Sequence, residues 1–144
     1  MGRDSLQRTI LTQRLMLRPV NGEDLDAVFA IAQDAEATRY MLFYPHKARS
    51  ETETFLAQAE AEWKKADPDF YEFAVTLKGK QIGIVSLYWV QGREEAELGW
   101  LLHRDYWNRG FATEAAAAVR DFALGPLGAR RIIAECDARN KASY

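Results

Sequence analysis

Apolar and polar positions change period several times along the chain, and each change marks an element. Leu15 and Leu17 alternate with Arg14, Met16 and Arg18, the period of a strand that closes at Pro19-Val20. Leu25, Val28, Phe29 and Ala32 then fall at i, i+3, i+4 and i+7, an apolar stripe for a helix of about three turns that Asn21 is placed to cap. From Ala37 to Arg49 no period holds, and Tyr40, Phe43, Tyr44 and Pro45 mark an aromatic-rich connection. Ser50-Glu51-Thr52-Glu53 has the spacing of a capping box, with Ser50 at the cap and Glu53 reaching back. It opens a helix carrying Phe55, Leu56, Ala59 and Trp63 on one face, which Asp67-Pro68-Asp69 ends.

After Phe70 the period becomes that of strands. Tyr71 to Leu77, Gln81 to Val90 and Ala96 to Leu102 are separated by the turns Lys78-Gly79-Lys80 and Gln91-Gly92-Arg93, which predicts three consecutive antiparallel strands. A helix from Thr113 to about Leu124 stops at Gly125-Pro126, and a strand runs from Arg131 to Cys136. Strand, two helices, three meandering strands, helix and strand make an α+β order with a mostly antiparallel sheet flanked by helices.

Composition narrows the function. With 144 residues, 48% of them hydrophobic, the chain predicts one domain spanning residues 1–144. Nineteen basic against 21 acidic residues give a formal charge of -2, which provides no global field for nucleic acid or anionic lipid. The apolar runs fall short of the roughly 18 residues a membrane span needs, and Met1-Gly2-Arg3-Asp4 leads into no signal-peptide core, so a cytoplasmic location is expected. One cysteine and two histidines support neither a disulfide framework nor a Cys/His zinc site, and chemistry without a metal is expected.

The segment with most chemical content joins the last meander strand to the alanine-rich helix: Trp107-Asn108-Arg109-Gly110-Phe111-Ala112-Thr113. A helix start leaves backbone N–H groups unpaired, and together with the macrodipole they favour a phosphate. Gly110 and Ala112 keep side-chain bulk away from such a ligand. The same residues also fit a tight strand-to-helix turn whose glycine only supplies a positive φ.

Tyr106 to Ala115 resembles the acetyl-CoA-binding motif of the GNAT acetyltransferases, in the form found in the RimJ/RimL-like ribosomal-protein acetyltransferases. Thr12-Gln13-Arg14-Leu15-Met16-Leu17-Arg18-Pro19 is similar to the first strand of that group, Glu97-Leu98-Gly99-Trp100 to its fourth, and Asn140-Lys141-Ala142-Ser143 to the Asn-x-x-Ser after its fifth. The resemblance covers nearly the whole chain. It implies a GNAT acyl-CoA N-acyltransferase fold and acetyl transfer from acetyl-CoA to a primary amine by direct attack, with a protein N-terminus or a small amine as acceptor. Trp107 stands where many relatives have Gln or Arg.

The resemblance also implies roles. Amides of Arg109, Gly110, Phe111, Ala112 and Thr113 would cradle the pyrophosphate, and main-chain groups of Leu101 and Leu102, on a strand splayed from the fifth by a bulge, would meet the pantetheine amides. Asn140 would bond the pantetheine arm or help seat the thioester. Glu97 is the candidate base, directly or through water, and otherwise a salt-bridged or solvated carboxylate. Ser143 is the candidate acid or holder of a water, and otherwise a helix cap. Tyr144 is not assigned the acid role that a later tyrosine has in many relatives. Tyr40, Phe43, Tyr44 and Trp89 are candidates to wall the acceptor cleft. Arg104 and Arg109 are candidates for phosphate, with a solvated role as the alternative.

Other features read as structural. Cys136 fits a small buried position of its strand, and Trp63 fits core. His103-Arg104-Asp105 resembles the kinase triplet, but Gly110 stands where the metal-binding Asn belongs and no ATP loop precedes it. Relatives continue past Asn-x-x-Ser into a helix and two strands, so this chain reads as truncated at the C-terminus. An open strand edge then predicts aggregation or oligomerisation, a homodimer included. Two other functions fit the same motif: a catalytically inactive CoA-binding or regulatory module, and a nucleotide or phosphopeptide binder.

Overall fold

In this computed structural model the described residues are 8–34 and 47–134. Among them lie the helices α1 (Leu25–Ala32), α2 (Arg49–Trp63) and α3 (Phe111–Leu124). The strands β1 (Ile10–Leu11), β2 (Met16–Pro19), β3 (Phe70–Leu77), β4 (Lys80–Val90), β5 (Glu95–Leu102) and β6 (Arg131–Ala134) form one sheet in chain order. Neighbours are antiparallel except β5 and β6, which run parallel because α3 crosses between them. The α+β architecture expected from the periods is the one found.

Differences lie at the element ends. The short β1 precedes the expected first strand and is folded back by Thr12, whose N–H donates to Leu15 O at 2.9 Å. Asn21 does cap: its side chain accepts from Glu23 N while Asp24 reaches back, and a single 3-10 turn leads into α1. The capping box at Ser50 is not formed. α2 begins at Arg49 behind Ala48, and Glu51 rather than Glu53 reaches back, to Lys47 N at 3.3 Å. α2 also ends before Asp67-Pro68-Asp69, because Glu62 turns to accept from Asp69 N and the Trp63 indole donates to Glu72 O.

The sheet buries both faces. On one, α3 lays Phe111, Ala112, Ala115, Val119 and Phe122 over Phe73, Val75, Val85, Leu87, Ala96 and Leu98. On the other, Val28 of α1 and Leu56 and Ala59 of α2 cover Ala74 and Ile84. Deleting one such buried Leu or Phe side chain costs about 2–5 kcal/mol. At Gly83 a Cβ would stand 2.5 Å from Leu101 O, so only glycine lets β4 pass this close to the end of β5. No helix among the described residues is long and apolar enough to cross a membrane.

Candidate active site

β5 delivers the chain to both halves of the site. Beyond Leu102 a 3-10 turn from Arg104 to Tyr106, capped by the His103 side chain, leads into the loop before α3. Asn108 and Gly110 have positive φ angles of 63° and 80°, and Gly110 is the residue that caps the helix. The first amide of α3 to pair within the helix is Glu114 N, with Gly110 O at 3.0 Å. Phe111, Ala112 and Thr113 therefore present their N–H groups at the helix start, where an anion is stabilised. Their Cβ directions serve packing, since the Phe111 and Ala112 side chains are buried under the helix.

This loop is held from the N-terminal hairpin. Glu114 accepts from Thr12 Oγ1 at 2.5 Å, from Arg14 N at 2.8 Å and from Arg14 Nε at 2.7 Å. Burial pushes the Glu114 carboxyl up, but these hydrogen bonds and the Arg14 charge outweigh it and hold the group below its ordinary value. Arg14 also donates to Arg109 O at 3.1 Å and lies 4.3 Å over the Phe111 ring.

The cofactor candidates Arg109 to Thr113 thus stand together at the helix start. Arg109 has no ion pair with a described residue, and its guanidinium sits 5.7 Å over the Tyr106 ring. Arg104, the other candidate for phosphate, makes a bidentate pair with Asp34 beyond the end of α1. Trp107 turns inward: its indole donates to Leu102 O at 2.8 Å and packs against Ile31 and Leu101. The departure at Trp107 is therefore an anchor for the loop, and it uses one lone pair of the Leu102 carbonyl assigned to pantetheine. β6 pairs with Glu95 to Leu98 of β5, so Leu101 and Leu102 extend past the described end of that pairing.

The second half is the sheet face under α1 and α2. Register aligns Glu72, Ser86 and Gly99 across β3, β4 and β5, and the next row aligns Phe70, Tyr88 and Glu97. Glu97 is half-buried and makes no hydrogen bond or ion pair with a described residue. A Cβ at Gly99 would meet no described atom within 4 Å, which opens a slot beside Glu97. Glu72 is fully buried and accepts from Ser86 Oγ and, at 2.5 Å, from the Tyr88 hydroxyl. Burial pushes the Glu72 carboxyl up to about 7 against the pull of the two hydroxyls. Burial raises the Tyr88 phenol too, helped by the charge of Glu72.

Trp89 is not brought to Glu97. It lies opposite Ala96 and packs with the α3-side core, with Arg93 5.8 Å over its ring, so Tyr88 takes the aromatic place on the Glu97 face. Tyr40, Phe43, Tyr44, Cys136, Asn140, Ser143 and Tyr144 lie outside the described residues. Arg14, Ser86, Tyr88 and Glu114 carry no sequence signal that assigns them a role, and the sequence reading gives none to Glu72 either. For Glu72 a signal does exist: a lone acidic residue inside Phe70-Tyr71-Glu72-Phe73-Ala74-Val75 is the charge such a strand does not need.

Comparison with known proteins agrees with this arrangement. The acetyltransferase (GNAT) domain family matches residues 14–144. The N-acetyltransferase YnaD of Bacillus subtilis is 31% identical over 137 residues, 94% of this chain and 76% of its own length. YoaA of the same organism is 31% identical over 140 residues, covering 92% of this chain and 75% of that protein. Among solved structures, a GNAT-family acetyltransferase from Bacillus anthracis superposes with a TM-score of 0.78 at 25% identity, covering 94% of this chain and 78% of that one. A Vibrio cholerae protein described as a ribosomal-protein-serine acetyltransferase shares the fold with a TM-score of 0.73 at 23% identity, over 99% of this chain and 80% of its own. The free amides at the start of α3, the β5 strand that leads to them and these matches lead to one conclusion: the chain belongs to the GNAT family of N-acetyltransferases.

Proposed function

We propose that the protein transfers an acetyl group from acetyl-CoA to a primary amine by direct attack, with the coenzyme pyrophosphate on the α3 N-terminus and the amine on the Glu97 face. The residues present suit the coenzyme. Three N–H groups without helical partners, a left-handed Gly110 beside the Arg14 guanidinium and a loop fixed by Arg14 and Glu114 match the needs of a pyrophosphate. The observation that carries the reading is β5 itself, since one strand bears Glu97, without a hydrogen-bond or ion-pair partner among the described residues, beside Gly99, and leads to the loop whose amides can meet an anion.

Bound acetyl-CoA supplies the thioester. The protein's own work is to hold that group and remove a proton from nitrogen, and Glu97 is the base, directly or through one water. A structural neighbour from Salmonella typhimurium is described as modifying the N-terminal serine of a 50S ribosomal subunit protein. That description, with the Vibrio cholerae one, supports a protein N-terminal amine as acceptor in a cytoplasmic setting.

Calorimetric titration with acetyl-CoA beside a thiol-release assay over a panel of amines tests the proposal. Binding together with amine-dependent thiol release is expected. Binding with no release from any amine would leave a CoA-binding module, and competition by ATP equal to that by CoA would indicate a nucleotide site.

A further inference from the structure

The middle of the β3–β4–β5 face holds polar groups that neither the coenzyme loop nor Glu97 uses. Glu72 is 0% and Ser86 3% exposed, on a face otherwise covered by Val28, Leu56 and Ala59. A carboxylate buried without a cation lowers stability, and apolar side chains of similar size would hold this face as well or better. The partners of Glu72 are two hydroxyls, Ser86 Oγ on Oε1 and Tyr88 OH on Oε2. Several charges on the surrounding elements are engaged with one another, while Glu53 and Glu60 of α2 have no hydrogen-bond or ion-pair partner among the described residues. Arg18 of β2 pairs with Asp24, Arg49 of α2 with Asp26 of α1, and Glu62 of α2 with Lys65 and the Asp69 amide. Glu97 faces the same side from β5, directly across from Tyr88.

Geometry links this trio to the slot. Glu72, Ser86 and Gly99 share one row, so Ser86 stands between the carboxyl and the open space above Gly99, while Glu97 borders that space two residues along β5. Because Ser86 donates its proton to Glu72, its oxygen lone pairs are left to accept from a group in the slot.

We propose that Glu72, acting through the Ser86 hydroxyl and oriented by that of Tyr88, is a positioning residue that takes up the first proton of the acceptor ammonium above Gly99; this rests on the amine-transfer reading given above. The ammonium passes an N–H proton to Ser86 Oγ as Ser86 passes its own to Glu72 Oε1. Nitrogen keeps the electron pair, Ser86 is restored and Glu72 becomes neutral. The nitrogen pair then forms the C–N bond while the C–S pair leaves with sulfur, and the second N–H proton travels by way of Glu97 to the thiolate. Glu72 returns its proton to water after the amide departs. A carboxyl near 7 lies within about one unit of an α-ammonium and more than three from a lysine ammonium, so the relay suits an N-terminal amine.

The test is thiol release against pH at saturating acetyl-CoA, with an amine panel led by a peptide bearing a free N-terminal serine. In the wild type, kcat rises with pH through the neutral range as Glu72 ionises. Tyr88→Phe removes a hydrogen bond that favours the ionised carboxyl and moves this rise to higher pH, whereas Ser86→Ala removes the hydroxyl that carries the proton and abolishes the rise. Glu72→Gln removes the rise and lowers kcat about 10- to 100-fold with KM for acetyl-CoA unchanged. Circular dichroism verifies the fold of each variant, and if Glu72→Gln does not fold, the two hydroxyl variants decide. Ser86→Ala and Tyr88→Phe profiles that coincide with the wild type overturn the relay and leave amine transfer standing. A wild type that binds acetyl-CoA but releases no thiol with any amine overturns the transfer reading itself, and the relay with it.

Discussion

The start of α3 and the middle of the β3–β4–β5 face treat a carboxylate in opposite ways. Glu114 is saturated with donors from Thr12 and Arg14 and is held ionised, so it ties the N-terminal hairpin to the loop that offers amides to an anion. Glu72 has hydroxyls only, no cation, and is pushed toward neutrality. In the proposed reaction one carboxylate fixes the loop that would hold the coenzyme. The other keeps a proton exchangeable near neutral pH beside the open Gly99 slot. The lesson is a division of labour between holding and reacting, set by which donors surround each group.

Four substitutions would break or sharpen that division. Glu97→Gln has the largest expected effect, a fall in kcat of about 100-fold or more with the acetyl-CoA Kd unchanged, measured by thiol release and calorimetry. An unchanged kcat at every pH would remove Glu97 from the mechanism. Gly110→Asp should do the reverse. It places a side chain and a negative charge at a residue with φ of 80°, and should weaken acetyl-CoA about 10- to 100-fold in calorimetric titration.

Glu114→Gln tests the platform through stability. It leaves Arg14 without its ion partner and should cost roughly 1–3 kcal/mol in denaturant unfolding at pH 7. The folded Glu114 titrates below 4.5, so its contribution is complete above that pH and disappears as pH falls through the folded value. The gap between variant and wild type should therefore close in acid. The stability effect of Glu72→Gln has the opposite sign. A carboxyl raised from 4.5 to about 7 contributes stability below 4.5 that is lost as pH rises through about 7. The variant should melt a few degrees higher than the wild type at pH 8, with the difference vanishing by pH 5. A lower melting temperature at pH 8 would show that the ionised Glu72 holds the fold together.

The frame that carries the two carboxylates is legible in the sequence, and the reason is local. The periods at Tyr71 to Leu77, Gln81 to Val90 and Ala96 to Leu102 located β3, β4 and β5 to within a residue or so, because their turns carry glycine at positive φ. The helix start at Gly110 was equally plain. Facing across the sheet was not. The sequence offers Trp89 as a wall of the acceptor cleft, yet strand pairing sends it to the α3 side and Tyr88 to the other, a one-residue alternation that a run such as Leu87-Tyr88-Trp89-Val90, apolar on both faces, does not declare. The Glu114 clamp was hidden for another reason, since Arg14 and Glu114 are 100 residues apart in sequence and meet only when the hairpin docks on α3.

The most direct test of the coenzyme site is an amide chemical-shift map of the labelled protein titrated with acetyl-CoA. The largest shifts are expected at Arg109, Gly110, Phe111, Ala112 and Thr113, with smaller ones at Leu101 and Leu102. A titration that left these amides unmoved while shifting residues elsewhere, such as the cleft lined by Arg8, Asn21, Trp63 and Lys64, would contradict it.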